Sequence, residues 1–351
     1  MRWSAQLVQA SEADEATLPG VPRLASLVRS VQTPEFAGVT FHEVLAKSAL
    51  NKVPGAARVP FAWTINPYRG CSHACTYCFA RRTHSYLELD TGTDFDSQIV
   101  VKINVVDVLR RELARPSWRG EPVALGTNTD PYQRAEGRYR LMPGIARALA
   151  EAGTPFSILT KGTTLRRDLP LLSALSADVP VGTGVSLALD DEGIHAALEP
   201  GTPTPRARLT LIRAIADAGL PCQVLVAPIL PMITDSDAQL DRLLGRIAAA
   251  GASSATALAL HLRPGAREWF WRYLERYHPA LVDAYAELYR DGAYVQRSYA
   301  ADLARRIRPL LRRHGLDRPS ELRLTDRPPT DRAPTSAAPS VARPEPDPRL
   351  F

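Results

Sequence analysis

Residues 66–80 read Asn-Pro-Tyr-Arg-Gly-Cys-Ser-His-Ala-Cys-Thr-Tyr-Cys-Phe-Ala. Three of the chain's four cysteines, Cys71, Cys75 and Cys78, fall inside this stretch, spaced C-x3-C-x2-C. Cysteines gathered so closely in a long chain rarely serve as ordinary core residues. One short loop can fold back so that three thiolates meet a single soft metal centre. A structural zinc takes four ligands, and His73 or the nearby His84 offers the fourth. A four-iron cluster usually takes four thiolates, but here three are local and Cys222 lies far along the chain. Three thiolates would leave one iron open to a substrate or cofactor. On these residues alone both centres stand.

Outward from this loop the chain alternates between strand-like and helix-like segments. Residues 61–65 form a candidate strand before the cysteines, and 98–101 an accessory strand after them. Further strands are expected at 122–126, 156–160, 179–189, 221–230 and 254–262, from short apolar runs bounded by turn residues. Helical spacing appears at 105–114, 143–152, 168–175, 205–218, 237–250 and 267–277, with Gly153, Gly219 and Gly251 as stop signals. Six main strands, each followed by a helix, imply a parallel sheet with right-handed crossovers. Neither G-x-G-x-x-G nor a Walker loop follows any strand. Residues 40–52 suggest a short helix or an extended arm, and 281–315 one or two basic helices. The expected organisation is an N-terminal leader or arm over 1–55, a core over 56–290, a helical extension over 291–326 and a disordered Pro/Arg-rich tail over 327–351.

Composition sets the class. With 351 residues, 45% hydrophobic and 23% charged, the chain can bury a sizeable core. No apolar run reaches the roughly 18 residues of a membrane span. The first twenty residues lack the pattern of a signal peptide, so no membrane partner and a cytoplasmic location are expected. The net charge of +6 is compatible with a nucleic-acid partner. Lysine is confined to Lys47, Lys52, Lys102 and Lys161, however, and arginine is spread along the whole chain rather than gathered in a block.

The cysteine spacing, with aromatic Tyr77 before the last cysteine, resembles the radical S-adenosylmethionine (radical SAM) superfamily. That resemblance implies a partial (β/α)6 TIM-like barrel with the chemistry at the C-terminal ends of its strands. It implies a [4Fe–4S] cluster on Cys71, Cys75 and Cys78, with S-adenosylmethionine chelating the open iron. Reductive cleavage of that cofactor yields a 5′-deoxyadenosyl radical that abstracts hydrogen from a substrate. The electron comes from a flavodoxin- or ferredoxin-like donor. Tyr77 and Phe79 flank the last cysteine and are expected to meet the cofactor, Tyr77 near its adenine. Gly126, Thr127 and Asn128 end the second strand, where the family receives the cofactor's amino group; Gly126 would let a ligand approach the backbone. Lys161 ends the third strand and is expected at the cofactor carboxylate. Ser186 matches the family's serine on the fourth strand and would bond the ribose or the carboxylate.

The string Thr-Asp-Pro-Tyr-Gln at 129–133, followed by Glu136, resembles the branch that includes spore photoproduct lyase; read locally, it is an Asx-type turn. Glu199 and Arg208 belong to a similar string, and a surface ion pair is the simpler expectation for Arg208. A lyase of that branch would need a cysteine to return hydrogen to its product, yet Cys222 begins a strand at the far end. His261 and Arg263 close the last strand, where they could face substrate. DNA-lesion repair by the same radical chemistry is therefore one alternative, and a zinc-stabilised nucleic-acid-binding protein without catalysis is the other.

Overall fold

The computed structural model describes residues 26–54 and 61–319. Eleven strands occur among them: β1 Leu27–Val31, β2 Thr40–Val44, β3 Leu50–Lys52, β4 Trp63–Ile65, β5 Tyr68–Arg69, β6 Gln98–Lys102, β7 Val123–Leu125, β8 Phe156–Thr160, β9 Val181–Ser186, β10 Cys222–Ile229 and β11 Ser254–Ala259. They form two sheets. The larger runs β11-β10-β9-β8-β7-β4-β3, parallel throughout except for the antiparallel edge pair β3–β4. Its six parallel strands are the six expected from sequence. The sheet is curved by its crossovers but not closed, as in a partial TIM-like barrel.

Helices cover the outer face of the sheet, and the barrel interior covers much of the inner one. Every residue of β9, Val-Gly-Thr-Gly-Val-Ser, is buried. Helix Asp237–Ala249 shows how the covering layer is specified. Ser236 and Gln239 close a capping box, with Gln239 N to Ser236 Oγ at 3.3 Å and Ser236 N to Gln239 Oε1 at 3.2 Å. Leu240, Leu243, Leu244 and Ile247 then recur at i, i+3, i+4 and i+7 and are all buried. Each such side chain contributes roughly 1.5–3 kcal/mol by leaving water. Gly251, with φ +91°, turns the chain into β11.

Of the short helix and the extended arm expected for residues 40–52, the structure has the extended form, with Thr40–Val44 in the smaller sheet, β1-β2-β6-β5, and Leu50–Lys52 in the larger. Thr40–Val44 pairs in parallel with Gln98–Lys102, and Leu50–Lys52 pairs with Trp63–Ile65. The Gln98–Lys102 partner lies more than fifty residues away, so local pattern does not show this pairing. From residue 26 the expected leader is thus built into both sheets. The C-terminal segment forms helices Val282–Leu288 and Arg297–Arg313, the second packing on Asp237–Ala249. Residues 1–25 and the tail expected at 327–351 lie outside the described residues. Among the described residues no helix is long and apolar enough to cross a membrane.

Candidate active site

The cysteine loop leaves β5 at the C-terminal end of the large sheet. Gly70 makes the turn at φ +80°, where a Cβ would lie 2.8 Å from the Gln98 carbonyl oxygen. Cys71 N donates to Phe95 O at 2.9 Å. Cys71 and Cys75 are buried and Cys78 is half-buried. Burial pushes all three thiols up, and their mutual proximity adds to the rise at each of Cys71 and Cys75. Such thiols stay protonated unless a cation holds them as thiolates. Within the same loop Ser72 Oγ and Thr76 Oγ1 are buried without a hydrogen-bond partner. Three soft donors beside unpaired buried hydroxyls fit a bound inorganic group.

The zinc reading fares worse. His73 Nδ1 lies 3.3 Å from Asp130 Oδ2, and His84 Nε2 lies 3.0 Å from Gln98 O, so each candidate fourth ligand has one ring nitrogen committed to another group. Among the described residues no three His, Cys, Asp or Glu side chains form a ready site for a single ion. A cubane cluster asks for one thiolate on each of three irons instead.

On one side of the loop sits a dry ionic network. Arg208 and Glu199 are both fully buried and ion-paired, which corrects the expectation of a surface pair. Arg208 also donates to Ser186 O and Pro203 O, each at 3.0 Å. Tyr77 hydroxyl donates to Glu199 Oε1, so its polar end is committed to this carboxylate rather than left for an adenine. Lys161 Nζ lies 3.9 Å from Glu199 Oε1 and donates to Ser186 Oγ at 3.0 Å. Burial alone would raise the Glu199 carboxyl, but Arg208, Lys161 and the Tyr77 bond outweigh it and hold the pKa at about 2. Burial would likewise lower Lys161, yet Cys75 when it is a thiolate, together with the Glu199 carboxylate, raises it. The strand-end residues Lys161 and Ser186 are thus brought together, next to the cysteines, as the sequence suggested.

On the other side lies the loop at 129–133. Thr129 Oγ1 donates to Tyr68 O at 2.8 Å, Gln133 Nε2 to Gly70 O at 3.0 Å, and Ser72 N to Gln133 Oε1 at 3.0 Å. The expected Asx turn is present, with Tyr132 N on Asp130 Oδ1 at 2.8 Å. Glu136 is buried and takes the Tyr68 hydroxyl at 2.6 Å and Arg167 at 2.8 Å.

Gly126 has a packing reason for its missing side chain. A Cβ there would lie 1.8 Å from the Leu159 carbonyl oxygen, and its φ is +85°. The close packing of the β7 end on β8 thus requires glycine at this position. Thr127 and Asn128 are half-buried, and neither side chain bonds to another described residue. Cys222 sits at the start of β10 in the main core, pushed up to about 12 by burial, far from the strand ends that carry the site.

Arg81 was missed. It is fully buried between Phe95 and Trp269, at 5.2 and 4.9 Å from their ring centres. It donates to Cys75 O at 3.1 Å and to both Asp96 oxygens at 2.9 and 3.0 Å. Beside Arg82 in sequence it looks like an ordinary solvated charge, and no local signal marks it. At the rim, Phe79 packs on His261 (5.8 Å between ring centres), His261 stacks on Tyr294 (5.7 Å), and Arg263 lies 5.5 Å from the Phe79 ring centre.

A model of the radical SAM superfamily matches residues 65–244, about half of the chain and all of the strand ends just described except β11. The chain belongs to the radical SAM superfamily. A protein of Mycobacterium tuberculosis, described as uncharacterized, is 61% identical over 318 residues, covering 90% of this chain and 93% of its own length. An uncharacterized protein of Methanocaldococcus jannaschii is 25% identical over 195 residues, 55% of this chain and 69% of that one. Among solved structures, spore photoproduct lyase complexed with dinucleoside spore photoproduct shares the fold. It has a TM-score of 0.59 and 15% identity, and the match covers 78% of this chain and 79% of that one. A double mutant of the same lyase, with AdoMet and the dinucleoside bound, aligns equally well at 16% identity. The protein is therefore a radical SAM enzyme that works with a [4Fe–4S] cluster and S-adenosylmethionine and needs an electron donor.

Proposed function

We propose that Cys71, Cys75 and Cys78 hold the cluster, that Lys161 and Ser186 receive the cofactor's carboxylate and ribose, and that Thr127 and Asn128 meet its amino end. The observation that carries this reading is Lys161: a charged Nζ, bonded to Ser186, held over a buried carboxylate and beside the cysteine loop. When bound, the cluster and cofactor together supply a 5′-deoxyadenosyl radical for hydrogen abstraction. The chain's own part is to hold and orient. Glu199 keeps Lys161 charged, Arg208 keeps Glu199 ionised, and Leu189, Leu198 and Leu230 pack around Cys75 and Tyr77 to keep water out. Residues 56–290 form the catalytic core in this reading, and 291–326 a helical extension.

Substrate is held at the rim of Phe79, His261 and Tyr294, where a planar group can stack and Arg263 can meet an anion. Nucleic acid is the class we favour. The net charge of +6 and the dinucleoside bound by spore photoproduct lyase support it. A repair lyase that returns hydrogen from a thiol is not favoured, because Cys222 is buried in the core. The donor we expect is flavodoxin- or ferredoxin-like, and the reducing cytoplasm suits free thiols of this kind.

The test is the Michaelis constant for S-adenosylmethionine in 5′-deoxyadenosine formation. Lys161→Met and Ser186→Ala should each raise it at unchanged iron content. An unchanged constant in both variants removes them from the cofactor site.

A further inference from the structure

The loop at 129–133 makes no use of its polar side chains for solvent. Thr129 and Gln133 are buried, and the Asp130 side chain is 10% exposed. Their partners fall on one short segment. Thr129 takes the carbonyl of Tyr68, Gln133 takes the carbonyl of Gly70 and the amide of Ser72, and Asp130 faces the ring of His73. The two Gln133 bonds bracket Cys71 on its two sides. Residues 68–73, which carry the chain into the first cysteine, are therefore fixed at four successive points by one loop.

The same Asp130 reaches the neighbouring strand end. Its Oδ1 accepts Thr160 Oγ1 at 2.5 Å, and its Oδ2 accepts Lys161 N at 2.6 Å. The two chains touch closely here: a Cβ on Gly162 would lie 2.0 Å from the Tyr132 carbonyl oxygen. One carboxylate oxygen, Oδ2, thus faces both His73 of the cysteine loop and the backbone of Lys161. A lysine side chain is long and flexible, but its root is fixed by this bond.

We propose that Asp130 is a positioning residue that sets the distance between the cysteine loop and Lys161, with Gln133 fixing the backbone on either side of Cys71. The inference rests on the assignment of Lys161 to the cofactor. It goes beyond that assignment in giving the Thr-Asp-Pro-Tyr-Gln string a role of its own. The string aligns the cluster-bearing loop with the cofactor-binding strand end and does not itself touch the cofactor. Removing an outer-shell partner of a metal-bearing site typically changes affinity or activity by about 10- to 100-fold.

Four reconstituted variants test it: Asp130→Asn, Gln133→Met, Lys161→Met and the double Asp130→Asn/Lys161→Met. For each, iron per chain, the electron paramagnetic resonance spectrum of the reduced cluster with and without S-adenosylmethionine, and the split between KM and kcat would be measured. Asp130→Asn keeps the Oδ1 contacts but sets an amide donor against Lys161 N. It should keep its iron, raise the cofactor KM by about tenfold, leave kcat within about threefold, and alter the spectral change seen on cofactor addition. The double variant should be no worse than Lys161→Met. Gln133→Met, apolar and of similar length, should alter the spectrum of the cluster itself.

A cofactor KM within twofold of the parent in Asp130→Asn, or additive losses in the double variant, would overturn the proposal. So would activity lost only in step with iron, which is what a merely structural residue gives. Should Lys161→Met leave KM unchanged, the assignment of the lysine falls. An altered spectral response in Asp130→Asn would then still uphold its hold on the cysteine loop, and an unaltered one would overturn that too.

Discussion

The cysteine loop is gripped from two sides, and the grips differ in kind. On the Glu199 side the contacts are charged and dry: Arg208, Glu199, Lys161 and Tyr77 share buried bonds, and Thr76 N and Gly201 N add backbone links to Leu198 O and His73 O. On the 129–133 side the contacts to the loop are mostly neutral amide and hydroxyl bonds to backbone atoms. A buried charge network is costly to break, because any survivor is left uncompensated in a low dielectric. A neutral clamp costs less to break but fixes geometry more locally. Most of the charge thus lies on one side of the loop and most of the neutral backbone anchoring on the other, with Asp130 the charged member of the second side.

That contrast orders the expected effects. The largest belongs to Arg208→Leu, which takes the direct ion pair from the fully buried Glu199, leaving it the Tyr77 hydroxyl and the more distant Lys161, and should cost about 3–5 kcal/mol in denaturant unfolding. A loss below about 1 kcal/mol there would mean the network is not dry.

Acid should come next. The Glu199 pKa is 4.5 as a free group and about 2 in the fold, so the unfolded chain takes up the proton first as pH falls. Its contribution, roughly 3 kcal/mol, is complete above about pH 4.5 and is lost as pH falls toward 2. Glu199→Gln should flatten this part of the stability–pH curve, and an identical curve would contradict the assignment.

On the neutral side, Gln133→Leu leaves Gly70 O and Ser72 N without a partner and should cost about 2 kcal/mol. Thr129→Val removes a single bond and should cost about 1 kcal/mol in the same assay. If either neutral substitution outweighed Arg208→Leu, the division between the two sides would be wrong.

The sequence carried the barrel well because each parallel strand is a short apolar run set off by local signals, as the helix stops Gly153, Gly219 and Gly251 show. The three cysteines we propose as cluster ligands stand out because their spacing is local. Sequence pattern failed where partners are distant. Residues 40–44 pair with 98–102, and nothing nearby in sequence announces a strand there. Arg208 looked like a surface charge because its burial depends on Glu199, Ser186 and Pro203 converging from separate segments. Arg81 was invisible for the same reason, since its cage of Phe95, Trp269 and Asp96 forms only in the fold. Gly126 was legible as a special position, but its packing constraint was not, because the Leu159 carbonyl that excludes a side chain belongs to the next strand.

The most direct measurement is anaerobic reconstitution with iron and sulfide, followed by dithionite and S-adenosylmethionine and an assay for 5′-deoxyadenosine. A variant carrying Cys71→Ala, Cys75→Ala and Cys78→Ala would be run beside the parent. A brown parent that makes 5′-deoxyadenosine, beside a colourless variant that makes none, is the predicted result. A parent that takes up zinc in place of iron and never cleaves the cofactor would contradict the assignment of the three cysteines.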